Sequence, residues 1–182
     1  MEPKILITGT GRCGTTFLIK LFSFLGMDTG YTAENYKQCI EPCCNSGMEN
    51  EHTSPRRVIK NPTFLTRIPE IVSSVPISHV VIPIRRYRPA AQSRVSHGGN
   101  PGGLWGAHDE PSQIAYYHKI LAEYLVHMVT YDIPTIFLDF ERMIVDKAYL
   151  YERFKPAWKE GVTEEAFSSA YDLASSSSKP SV

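Results

Sequence analysis

"ILITGTGRCGTTFL", residues 5–18, is the stretch on which the fold turns. Ile5–Thr8 is a run of β-formers, Gly9 to Gly14 make a glycine-rich turn, and an apolar helical pattern starts at Thr15. A strand, a glycine turn and a helix in that order are the layout of a phosphate-cradling loop. Glycines let the backbone wrap and aim N–H groups inward, and the helix N-terminus adds partial positive charge. Gly9 and Gly14 have the G-x-x-x-x-G spacing, but Thr15-Thr16 stand where a triphosphate-binding loop carries Lys-Ser/Thr. Arg12, inside the turn, is the remaining cation.

Outward from this loop, strands and helices alternate. Thr15–Leu25 reads as a helix apolar nearly all round, hence buried, with Gly26 as its C-cap. Residues 27–56 are polar and irregular, too long for a plain connector. Arg57–Lys60 is a short strand, 62–74 a helix-like segment, His79–Ile84 a third strand and Arg88–Val95 a helix. A glycine-rich loop (96–111) leads to a long helix with Ile114, Tyr117, Leu121, Tyr124 and Met128 on one stripe, and 134–140 is a fourth strand. Short apolar strands separated by helices predict an α/β fold: a three-layer α/β/α sandwich of the P-loop type with a short, mostly parallel sheet. Ligands then bind at the carboxyl ends of the strands. One domain over residues 1–175 is expected, with 176–182 a flexible tail.

Net charge is zero, yet residues 1–91 carry 11 Lys/Arg against 7 Asp/Glu, and residues 92–182 carry 8 against 12. Basic residues thus gather around the glycine loop, which suits a local anion and falls short of a nucleic-acid coat. No stretch approaches the 18 or so apolar residues of a membrane span. The first strand starts too early for a signal peptide, so a cytoplasmic protein is expected, with Cys13, Cys39, Cys43 and Cys44 as thiols. "CIEPCC" with His52 nearby lacks the paired C-x-x-C spacing of zinc sites, so no metal is expected there.

The loop "GTGRCGTTFL" resembles the 5′-phosphosulfate loop of the sulfotransferases, a basic residue followed by Ser-Gly-Thr-Thr, with Cys13 in place of the serine. The resemblance implies a P-loop-like fold and metal-free use of 3′-phosphoadenosine 5′-phosphosulfate (PAPS), released as 3′,5′-adenosine bisphosphate (PAP). It assigns the cofactor to Gly11, Arg12, Cys13, Gly14, Thr15 and Thr16. It also implies an arginine at a strand end and a serine eight residues later for the 3′-phosphate; "HVVIPIRRYRPAAQSR" supplies Arg85 and Ser93. Lys60, ending "RVIK", matches the lysine beside the transferred group, and Pro62 stands where the aryl and steroid branch has its histidine base. Glu34, 22 residues after Arg12, matches the glutamate base of the protein-tyrosine and heparan-type branches. Arg12, Lys60 and Glu34 are therefore the expected catalytic residues. Glu41, His97, His108 and Asp109 are alternative bases, and Tyr31, Tyr36 and Trp105 are candidate acceptor-pocket aromatics.

The resemblance runs from residue 4 to about 154. It lacks the Arg-Lys-Gly segment that closes the cofactor site, a role left to Arg86, Arg88 or the 96–111 loop. The implied acceptor is a carbohydrate or another small hydroxylated or amine-bearing molecule, with neither nucleic acid nor membrane as partner. Two other readings stay open. A kinase or triphosphatase would use Mg-ATP with Asp139, after "TIFL", as its Mg²⁺ carboxylate; a non-catalytic nucleotide-binding protein would bind without turnover.

Overall fold

The computed structural model describes residues 2–41, 44–99, 102–157 and 161–176. Four strands form one parallel sheet: β1 (Lys4–Ile7), β4 (Val58–Lys60), β5 (Ile77–Ile84) and β6 (Thr135–Asp139), in the order β4-β1-β5-β6. Two-residue strands β2 (Ile40–Glu41) and β3 (Ser46–Gly47) pair antiparallel outside it. The helices are α1 (Thr15–Phe24), α2 (Ile68–Ser74), α3 (Tyr87–Val95), α4 (Glu110–Thr130), α5 (Phe140–Met143), α6 (Lys147–Phe154) and α7 (Glu164–Ser176).

Alternation along the strands explains the layers. Ile5, Ile7, Val58 and Val81 face a cluster with Leu18, Phe22, Phe154 and Phe167 from α1, α6 and α7. Leu6, Ile59, Val80 and Ile82 face the opposite cluster, with Ile68 and Ile71 of α2 and Ile120, Leu121 and Tyr124 of α4. Central strands covered on both faces are apolar along their length, as Ile5, Leu6 and Ile7 are; Lys4, also buried at the start of β1, donates to the Ser54 and Arg56 carbonyls. The three-layer α/β/α architecture expected from the sequence is the one observed. No helix of the described residues is long and apolar enough to cross a membrane.

Local differences have local causes. The 62–74 segment splits into a 3-10 turn (Pro62–Thr66) and α2. Pro69 would drive its ring into the Leu65 carbonyl of a continuous helix, whereas near the start of a new helix it costs nothing. Asn61 caps the 3-10 turn, accepting from Thr63 N at 3.0 Å. At α4, Asp109 and Ser112 form a capping box; Asp109 Oδ1 accepts from Ser112 N at 2.8 Å. The expected tail lies, but for Ser176, outside the described residues, as does Cys43.

The chain runs from β1 to β4 on one side and then crosses to β5 on the other. The topological switch therefore lies between the carboxyl ends of β1 and β5, where α/β sheets form their ligand crevice. Register puts Lys60 beside Ile7 at that same end.

Lys20 is fully buried in α1, with its ammonium 3.4 Å from Asn45 Oδ1 and over the Tyr36 ring. Burial pushes its pKa down to about 8 from an ordinary 10.5. Between these values the unfolded chain holds a proton that the folded chain has released, so stability rises with pH across that window. Chemical unfolding should show the parent gaining on Lys20→Met by up to a few kcal/mol from pH 8 to 10.5; parallel profiles would contradict it.

Candidate functional site

The loop after β1 is shaped by three left-handed residues: Gly11 (φ 77°), Arg12 (φ 55°) and Gly14 (φ 87°). At Gly11 a Cβ would run into Arg94 Nη2, and at Gly14 it would lie 2.6 Å from Met143 Cε. Arg12 has no such freedom, and an arginine in this region is strained unless its surroundings hold it. They do hold it. Arg85 Nη1 donates to the Arg12 carbonyl at 2.9 Å, and Arg12 itself donates from Nε to Ser93 Oγ at 3.1 Å and from Nη1 to the Cys44 carbonyl at 2.5 Å.

Beside this loop lies a cavity of about 890 Å³. Gly11, Arg12, Gly14, Thr15, Thr16, Lys60, Arg85 and Arg94 form its basic and hydroxylated wall. The β2–β3 segment forms another part, including Glu41, and Glu49 follows it. Lys60, almost wholly buried, donates to Glu49 Oε1 at 2.5 Å and to the Gly47 carbonyl at 2.8 Å, with Thr16 Oγ1 at 3.4 Å. Burial lowers its pKa while Glu49 opposes the shift. Burial also holds the Arg12 pKa below the usual arginine value; Cys44 pulls the other way, and the like charges of Arg94 and Arg85 lower it further.

The charge pairing around this cavity differs from that of most other arginines, although exposed Arg86 and Arg153 also have no carboxylate partner among the described residues. Arg56, Arg57, Arg67, Arg88 and Arg142 each have a carboxylate partner. Among the described residues no carboxylate pairs with Arg12, Arg85 or Arg94, which carbonyls, Ser93 and rings hold instead. Removing a cation from water without a counter-charge is costly. Buried Arg94 and half-buried Arg12 and Arg85 share one cavity, an arrangement that favours an anion.

Eight of the ten residues expected at the site from sequence meet at the cavity or touch Arg12: Gly11, Arg12, Gly14, Thr15, Thr16, Lys60, Arg85 and Ser93. The Cys13 side chain does not reach the cavity; it is fully buried, and burial raises its thiol pKa. Glu34 does not reach it either. Its N–H is tied to Thr32 Oγ1 at 3.2 Å in an exposed turn, and hydrogen bonding, led by the Thr32 side chain, lowers its pKa. The carboxylates at the cavity are Glu41 and Glu49, and sequence spacing did not single out Glu49. Tyr36 and Trp105 are packed against Phe24 and Tyr116, and Tyr31 donates to the Glu49 carbonyl. His108 and Asp109 lie at the α4 start, and His97 Nδ1 sits against the Ser93 carbonyl.

Asp139 caps α5, accepting from Arg142 N at 3.0 Å, and lines a separate cleft of about 310 Å³ with Arg86. Arg88 pairs with Glu110. His52 is engaged by Arg67 and Glu70, and no cluster of metal-ligating side chains is found among the described residues. No protein-family model matches the chain, and comparison with curated proteins gives no match.

Gly11→Ala introduces both a strained φ and a collision with Arg94. It should lower stability by about 1–3 kcal/mol in urea unfolding; an unchanged midpoint would show that the loop does not need this geometry.

Proposed function

We propose that this chain is a small sulfotransferase, moving a sulfuryl group from PAPS to a hydroxyl or amine acceptor. The observation that supports it most is a set of arginines at one cavity, buried Arg94 and half-buried Arg12 and Arg85, that no carboxylate among the described residues neutralises beside a left-handed turn. The motif resemblance identifies the anion: Arg12 in the phosphosulfate loop, Arg85 and Ser93 as the 3′-phosphate pair. The donor set fits, since a cavity of about 890 Å³ is within the roughly 300–1,000 Å³ usual for ligand sites. Carbonyl-held guanidiniums can also exchange their partners for phosphate oxygens.

In this reading PAPS supplies the activated sulfuryl group. Loop N–H groups, Thr15 and Thr16 bind the phosphosulfate end, and Arg85 with Ser93 binds the other phosphate. Arg12 and Lys60 place positive charge where the leaving oxygen becomes negative, the main protein contribution in loose group transfers. Glu49, at the cavity and 2.5 Å from Lys60, takes the proton-acceptor role in place of Glu34. Glu49 offsets part of the effect that burial has on the Lys60 ammonium. Lys60 and Arg12 are also tied to the 44–49 segment, so ligand oxygens must displace the Gly47 and Cys44 carbonyls.

Release of PAP from PAPS, assayed in EDTA with a panel of hydroxyl and amine acceptors, tests this directly. Arg12→Ala should lower kcat by at least about a hundredfold, as for a lost transition-state donor, and Arg85→Ala should mainly raise the KM for PAPS. No acceptor-dependent release by the parent, or equal and negligible effects of both substitutions, would refute the assignment.

A further inference from the structure

We propose that Arg94, which belongs to neither binding motif, is a positioning residue of the anion site that joins the loop after β1 to the 102–106 turn as one wall. This role deepens the sulfotransferase reading and rests on it. Arg94 is the last-turn residue of α3, one place after Ser93, and its side chain is almost wholly buried. Nη2 donates to the Thr10 carbonyl at 3.1 Å and Nη1 donates to the Gly103 carbonyl. The guanidinium lies over the Trp105 ring at 5.5 Å. A single planar fork thus holds one backbone carbonyl from each of two glycine-rich segments, which a lysine's point charge cannot do.

The rest of the turn is built around this contact. Trp105 is clasped by fully buried Gln113, which accepts from Trp105 N at 2.8 Å and donates to its carbonyl at 3.0 Å. A Cβ on Gly102 would stand 3.4 Å from Arg12 Nη1, so the turn abuts the loop arginine as well. On the other side Gly11 is moulded against Arg94, with no room for a side chain.

The buried Tyr117 hydroxyl faces the same guanidinium, whose charge and hydrogen bond oppose the upward effect of burial on the phenol pKa. Arg94 is thus a buried cation held by carbonyls and rings, with no carboxylate partner among the described residues, and an anion on the cavity side of Gly11 would supply the counter-charge. Anion binding should therefore tighten the Arg94 contacts and be felt at Trp105.

The chain has two tryptophans, so a Trp158→Phe parent reports Trp105 alone. PAP is titrated in EDTA by calorimetry and by Trp105 emission, in this parent and with Arg94→Lys or Arg94→Met added. The parent emission should change with the calorimetric Kd. Arg94→Lys should bind about tenfold more weakly, the loss expected for a charge-assisted bond, and Arg94→Met more weakly still, while the ligand-free Arg94→Lys protein keeps its melting temperature within a few degrees. Tight parent binding with variants within about twofold, or with Trp105 silent at saturation, overturns the role of Arg94 and leaves the donor site standing. Absence of PAP binding by the parent overturns the donor site and this role together. Should Arg94→Met fail to fold, Arg94→Lys and the parent emission decide.

Discussion

The hydrogen bond from Arg85 to the Arg12 carbonyl ties the end of β5 to the turn after β1, and the site depends on it. It fixes a non-glycine residue in a left-handed conformation, which points the Arg12 side chain to Ser93 and Cys44. Sheet order makes this bond possible: β1 and β5 are adjacent and parallel, and β5 runs three residues past the partner of Ile7, so its end reaches the turn after β1 at the switch point. Residues far apart in sequence become one basic wall without any long connecting structure.

That wall is expensive for the fold. Arg12, Arg85, Arg94 and Lys60 share one cavity, and among the described residues only Glu49 forms an ion pair with any of them. Elsewhere most arginines are neutralised at the surface, where pairs contribute little and are easily satisfied. Like charges held together at one cavity repel one another, and an anion of matching shape would relieve that repulsion. Affinity and local repulsion are thus two sides of one arrangement.

Much of this was legible in the sequence because the signals are local. The strands are short apolar runs bounded by glycine, proline or charge, and the loop declares itself by glycine spacing and Arg12. Arg85 is readable because it ends a strand. Arg94 was not, since one arginine on a helix has no periodic signature and its value comes from Thr10 and Gly103. Glu49 was equally hidden in an irregular segment whose shape rests on contacts to Lys60 and Arg12. Counting from Arg12 led to Glu34, but a local turn with Thr32 keeps that residue at the surface. The α7 stripe of Phe167, Ala170, Tyr171 and Ala174 has helical spacing, yet its serine-rich surroundings masked it and no helix is expected there from sequence.

The central claim is that this cavity binds a doubly phosphorylated adenosine through unpaired arginines and without a divalent cation. Calorimetric titration with PAP in EDTA, beside ATP with Mg²⁺, measures it most directly. The account predicts micromolar binding of PAP that Arg85→Ala abolishes, and no comparable binding of Mg-ATP. Binding of Mg-ATP alone would contradict it and make the loop a divergent triphosphate site.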